Sequence, residues 1–243
     1  MKIGSAVTNS KPHYIGHRQR ILQKLYKNGY EQFADYEIVE MMLFLIFRRK
    51  DTKQLAKQLL KRFKNLNGIL SAEITSLSEI EGVGVAVCNA LKIINMLVKA
   101  TLRSQLYSLP VINCFNDLVN YAKFHMNSLL YEEFRVIYLN NKNYVIDDRV
   151  LHRGSVNSVS FYPREIVKLC LQIGATGIIM VHNHPSGDPT PSLKDQYVTN
   201  KLVNVCNSLE IKLIDHIIVA RGKYVSFKAL GLLEAIQEPL YND

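Results

Sequence analysis

The run His182-Asn183-His184-Pro185-Ser186-Gly187-Asp188-Pro189-Thr190-Pro191-Ser192-Leu193-Lys194-Asp195 constrains this chain more than any other part of it. Pro185, Pro189 and Pro191 have no amide donor, so no ladder can continue through them. Before them, Gly177-Ile178-Ile179-Met180-Val181 is a short apolar, β-branched run and reads as a buried strand. After them, Val198, Leu202, Val205 and Leu209 repeat at helical spacing from Ser192 onward. The segment is therefore a strand, a forced turn and a helix. Alternate strand residues face one side, so His182 and His184 can address one point. Asp195 falls in the first helical turn and can look back at them. Ser192-x-x-Asp195 also reads as a capping box. Two imidazoles and a carboxylate can hold one zinc ion and leave a fourth position for water.

His-x-His-Pro, a spacer and Ser-x-x-Asp resemble the JAMM (MPN+) metalloprotease signature. With Pro185 to Pro189 included, the segment resembles the bacterial RadC family in particular. The likeness extends from about Gly16 to Leu233, through Gly16-His17-Arg18, Tyr36-Glu37, Tyr162-Pro163-Arg164-Glu165 and Asp215-His216-Ile217-Ile218. The resemblance implies that His182, His184 and Asp195 are the ligands of one zinc ion per chain. It implies that Ser192 donates to the oxyanion of an intermediate. It also implies a glutamate base just before the first strand of the catalytic domain. Glu132-Glu133-Phe134-Arg135-Val136-Ile137-Tyr138-Leu139 fits, and we align Glu133 with that base, keeping Glu132 in reserve. The implied activity is hydrolysis of a peptide or isopeptide bond of an unknown substrate by zinc-activated water. The implied fold is a JAMM/MPN α-β-α domain, similar to the cytidine deaminases. The deaminase chemistry itself needs Pro-Cys-x-x-Cys, which is missing.

Charge divides the chain. Residues 1–105 hold 17 Lys+Arg and 8 Asp+Glu, a net of +9, whereas residues 106–243 hold 13 of each. A basic half suggests a polyanionic partner. Leu77-Ser78-Glu79-Ile80-Glu81-Gly82-Val83-Gly84 leads into a helical stretch through Leu91, Ile94 and Leu97 and looks like a helix–hairpin–helix. There Gly82 and Gly84 would offer backbone amides to a DNA phosphate. Cys88 stands where such hairpins usually carry alanine. The dense tract from Arg48 to Lys64, with Phe63 its one aromatic, lacks the interleaved aromatics of a stacking platform, which points to duplex or non-specific phosphate contact.

The expected architecture is an all-helical DNA-binding domain at 1–103, a linker at 104–111 and the α/β metallohydrolase domain at 112–236. Helices are predicted over His17–Tyr30 and Asp35–Phe47, the latter with an Ile38, Met41, Met42, Leu45 core stripe, and from Asp51 onward. Asn140 to Asn143 predicts a hairpin turn, Pro163 to Gly174 a helix, and Ile211 to Ala220 a strand. Adjacent Asp215 and His216 must point to opposite faces, and His216 reads as structural; His125 and His152 have no motif context. Cys88, Cys114, Cys170 and Cys206 show no close pairing, in keeping with a reducing, cytoplasmic location. The most apolar run, Met41 to Phe47, is too short for a bilayer. A second reading stays open: a DNA-associated repair or recombination accessory with a structural metal site.

Overall fold

The computed structural model describes residues 16–48, 50–111, 115–154 and 163–233. Cys114, Tyr162 and the end of the expected second domain, 234–236, lie outside the described residues. The chain divides into two compact units, Met1–Asn95 and Met96–Asp243.

The first unit is helical. It contains α1 (His17–Asn28), α2 (Asp35–Phe44), α3 (Lys53–Phe63), α4 (Leu66–Ser71), α5 (Ile74–Ser78) and the start of α6 (Val85–Ser108). Gly29 ends α1 with φ 71°, a conformation that costs glycine little. Asn65 caps α4 by accepting from the Gly68 amide. Val39, Leu43, Leu55, Ala56, Leu59, Ile69, Leu77, Val87 and Leu91 form the core. The buried face of α2 is thus Val39, Glu40 and Leu43. It is rotated from the stripe read in the sequence, and Leu45 lies past the helix end, 82% exposed. Met42 still packs against this core. Between α5 and α6 the chain turns through Gly82 at φ 89°, and the Val87 and Cys88 amides both bond the Gly84 carbonyl. Cys88 is buried, its Sγ 3.8 Å from Ser78 Oγ, so a small thiol fills the usual alanine position of the hairpin.

Two expectations need correction. The segment 104–111 is no free linker: α6 continues to Ser108, and Leu106 and Val111 are buried in the second unit's core. The apolar positions of α6 hold it helical through Ser104 and Ser108, which a helix interior tolerates. Nor does the apolar but short Met41–Phe47 settle the question of a bilayer span. Among the described residues α6 alone is long and apolar enough to cross a bilayer by length and composition, with a mean hydropathy of 1.5 over its best window.

The second unit is built on a five-stranded sheet in the order β2-β1-β3-β4-β5. The strands are β1 (Glu132–Leu139), β2 (Val145–Gly154), β3 (Gly177–Asn183), β4 (Lys212–Ala220) and β5 (Lys223–Ser226). β1 and β2 form an antiparallel hairpin whose turn places Asn143 at φ 62°. β3 and β4 are parallel, joined by α9 (Leu193–Asn207). Residue parity sorts the two faces. Ile137, Leu139, Ile179, Val181, Ile217 and Val219 pack with α7 (Phe115–Met126). Val136, Tyr138, Ile178 and Met180 pack with α8 (Pro163–Ile173) and α9. The unit is an α/β/α sandwich with a mixed sheet. Every residue of β3 is buried, as its apolar run requires.

Candidate metal centre

His182 ends the same face of β3 as Ile178 and Met180, and so points toward α9. His184 follows after the strand has ended. Its amide still bonds the Val219 carbonyl of β4, which holds the backbone in line. The turn from Pro185 then brings Ser192 to the N-cap of α9. The Ser192 hydroxyl accepts from the Asp195 amide, and the Asp195 carboxylate accepts from the Ser192 amide at 2.8 Å and hydroxyl at 2.6 Å. The capping box and the candidate ligand are therefore the same residues. The cap fixes the Asp195 rotamer that faces the histidines.

The three groups converge. His182 Nε2 lies 2.9 Å from His184 Nε2 and 3.3 Å from Asp195 Oδ1, and His184 Nε2 lies 3.5 Å from Asp195 Oδ2. Ligand atoms on a tetrahedral ion with bonds of about 2.0–2.1 Å are about 3.3 Å apart. The observed separations bracket that figure, and His182, His184 and Asp195 can hold a metal ion.

The surrounding hydrogen bonds decide which imidazole nitrogens are bare. His184 Nδ1 is 2.7 Å from the Asp188 carbonyl, which can only accept, so Nδ1 carries the proton and Nε2 a lone pair. For His182 the argument runs through two further side chains. Thr199 Oγ1 donates its one hydrogen to the Asp195 carbonyl at 2.6 Å, so it must accept from His216 Nδ1, also at 2.6 Å. His216 Nε2 is then an acceptor and takes the His182 Nδ1 proton at 2.8 Å. His182 Nε2 is left with its lone pair toward Asp195. Complete burial favours this neutral form: it pushes His182 down to about 4 and His216 well below the usual range. Burial also opposes charge on His184, but its contacts with Asp195 and the Asp188 carbonyl win and raise its pKa. Asp195 pays a burial penalty too, outweighed by His184, His182 and Ser192, which hold it low. Two lone pairs 2.9 Å apart beside a carboxylate repel one another unless a metal ion or a proton sits among them.

His216 thus does more than the sequence reading allowed. It was read as structural because it cannot share a face with Asp215, and it does not: Asp215 accepts from Ser226 Oγ and the Lys228 amide. His216, however, lies on the same side as His182 and sets its tautomer. A hint was available in the parity of β4 relative to β3, but the register pairing Met180 with His216 is a tertiary fact.

Glu133, His152, His182, Asp195 and His216 line one cavity of about 50 Å³, large enough for a water molecule. Ser192 and His184 lie outside that lining. Glu133 is buried, with both carboxylate oxygens engaged: Arg135 donates to Oε1 and Arg153 to Oε2, each at 3.0 Å. Arg135 also bonds Asp148 at 2.6 Å, and Asp148 accepts from Tyr121. The Asn183 side chain accepts from the Glu133 amide at 2.8 Å, tying the start of β1 to the end of β3. Glu132 lines the same cavity. The buried Nε2 of His152 has no protein partner there. Neither His152 nor the two arginines were singled out in the sequence, since their roles come from the β1–β2 pairing of Glu133 with Arg153 and Phe134 with His152. Arg164 and Glu165 form an exposed ion pair at 3.1 Å, as expected of a surface pair. Residues 112–232 match the family model described as the RadC-like JAB domain.

Proposed function

This chain belongs to the RadC family, its second half carrying the JAB/MPN domain, and from that premise we propose that it is a zinc-dependent amide hydrolase acting on a peptide or isopeptide bond. The observation that carries the proposal is the convergence of His182 Nε2, His184 Nε2 and Asp195 beside a cavity that Glu133 also lines. His182, His184 and Asp195 would hold zinc, and two nitrogens with one oxygen suit it. Bound zinc supplies a Lewis acid and a water whose pKa falls to about 7. Glu133 would take that water's proton and return it to the leaving amine. Each of its oxygens keeps a second lone pair beside its arginine for this, and Arg153, 63% exposed, is the partner that can swing away. Ser192 would turn its hydroxyl from Asp195 to the oxygen that becomes negative. We extend the likeness of the α/β/α domain to the cytidine deaminase fold, and we place the protein in the cytoplasm, in line with the free thiols of Cys88, Cys170 and Cys206.

In this reading the first unit binds DNA through amides of the Gly82–Gly84 hairpin and its basic surface. A second reading, a DNA-associated repair accessory with a structural metal, is favoured by the double arginine hold on Glu133. Two measurements test the proposal. Purified protein should contain about one zinc per chain, and Asp195→Ala should contain none. Glu133→Ala should keep zinc while losing hydrolysis of a peptide library. Zinc in the wild type with no hydrolysis of any amide would favour the accessory reading. No zinc in either protein, even after zinc is supplied, would overturn the hydrolase reading and leave the DNA-associated accessory role, with a vestigial site, in front.

A further inference from the structure

The first unit contains a cleft of about 400 Å³ lined by His17, Arg18, Glu40, Phe44, Arg48, Lys50, Asp51 and Thr52, within the range of small-ligand sites. Its polar groups are out of balance. Glu40 is 1% exposed; His17 meets its Oε1 at 3.1 Å, while its Oε2 is buried without a partner among the described residues. Thr52, also 1% exposed, has a buried Oγ1 likewise unpartnered among the described residues. A buried polar atom without a partner is destabilising. Two of them lining one cleft call for a ligand that supplies a donor to the carboxylate and pairs with the hydroxyl. A metal ion does not meet the need, since among the described residues only His182, His184 and Asp195 gather as ligands.

The rest of the lining selects an anion attached to that donor. Arg48 and Lys50 are exposed at the cleft. Arg18 is a strut: its guanidinium donates to the Arg48 and Phe47 carbonyls and lies 4.4 Å from the Phe44 ring centroid, fixing the loop that carries Arg48 and Lys50. Aromatic rings from outside the basic tract meet it in space. Lys50 lies over Phe47, and Lys53 and Lys57 over Tyr36. The cleft also adjoins the Gly82 turn, where a Cβ would stand 3.3 Å from Lys50 Nζ. Aromatic rings interleaved with cations are the dress of a single-strand nucleic-acid surface.

We propose that this cleft binds one unstacked nucleotide, its base edge on Glu40 and Thr52 and its phosphate on Arg48 and Lys50. The pair Glu40 Oε2 and Thr52 Oγ1 offers an acceptor beside a hydroxyl donor. That matches the amino group and adjacent ring nitrogen of adenine or cytosine, and equally the imino N–H and adjacent carbonyl of thymine. The site therefore takes a base edge without choosing among these three. It does not depend on the metal centre or on its chemistry.

The experiment is a titration of the full chain with dAMP, dCMP, dTMP, inorganic phosphate and the hexamers d(A)6, d(C)6 and d(T)6, followed by calorimetry. Each nucleotide should bind at least about tenfold more tightly than inorganic phosphate, the worth of one charge-assisted hydrogen bond to the base edge. Saturable monophosphate binding identifies free nucleotides as a sufficient source, and binding of the hexamers alone identifies a strand. Glu40→Gln should bring the nucleotides down to about the level of phosphate. Should that variant melt early, Thr52→Val tests the same edge. The exposed Arg48→Ala/Lys50→Ala pair should weaken nucleotides and phosphate alike, by about tenfold or more. No saturable binding overturns the proposal. So does phosphate matching the nucleotides, or an advantage over phosphate unchanged in both Glu40→Gln and Thr52→Val.

Discussion

Thr199→Val separates a metal site held by its ligands alone from one that depends on the hydrogen-bond chain behind them. Valine keeps the shape of threonine but removes the acceptor 2.6 Å from His216 Nδ1. In the metal-free protein two arrangements then compete. His216 can keep its Nδ1 proton, buried and unpartnered, at a cost of about 1–3 kcal/mol. Alternatively it moves the proton to Nε2, which forces His182 Nδ1 to accept, so that the His182 proton sits on Nε2 among the ligands. The free variant relaxes to the second arrangement, whereas the metal-loaded variant must return to the first. Metal binding loses the difference, at most the same 1–3 kcal/mol, or about 5- to 150-fold in affinity. Competition against a chelator of known affinity measures that loss. Imidazole nitrogen shifts of the metal-free protein report the tautomer directly. Thr199→Ser should restore both readouts. A variant that binds zinc within twofold of the wild type, with His182 still protonated on Nδ1, would refute the relay.

Three further outcomes follow from other parts of the structure. Because the pKa of His184 is raised above 6.5, protons should compete with zinc already near neutrality: loading holds at pH 8 and falls steadily on acidification, as metal analysis after gel filtration at each pH will show. A loading curve flat to pH 5 would contradict it. His125, whose pKa burial depresses to about 4, binds its proton more readily when unfolded. Its contribution is complete above the unfolded pKa of about 6.5 and is lost as pH falls from there through 4, by about 3 kcal/mol at most. Urea melts at pH 7 and 4.5 should show a smaller drop in His125→Gln than in the wild type, and equal drops would dismiss the assignment. Gly187 sits at φ 93°, and a Cβ there would stand 2.5 Å from Arg221 Cδ. Gly187→Ala should destabilise the second unit by about 1–2 kcal/mol or more and loosen the Asp188 carbonyl from His184. The checks are a lower melting temperature and weaker zinc binding, and an unchanged pair of values would show the turn to be slack.

The sequence by itself determined the strand, turn and helix around His182, because prolines and apolar periodicity act locally. It brought His182, His184 and Asp195 to notice as one group for the same reason: His-x-His on a strand and Ser-x-x-Asp at a helix start are short-range patterns whose geometry follows from backbone period. The hairpin at Asn140 to Asn143 and the α8 start at Pro163 were legible as turn and cap chemistry. The rotation of α2 was not, since Glu40 reads as a surface residue until its neighbours bury it. The end of α6 was not, since two serines look like a connector until Leu106 finds a core. Tertiary structure alone decided the relay, because Thr199, His216 and His182 lie on three different elements. It alone brought Arg153 to Glu133, through a cross-strand pair, whereas Arg135 follows from the strand's own i+2 spacing. It alone gathered Glu40 and Thr52, which lie on opposite sides of a loop, into one cleft. Hydrogen-bond partners and buried charge depend on which elements meet, and that information is long-range.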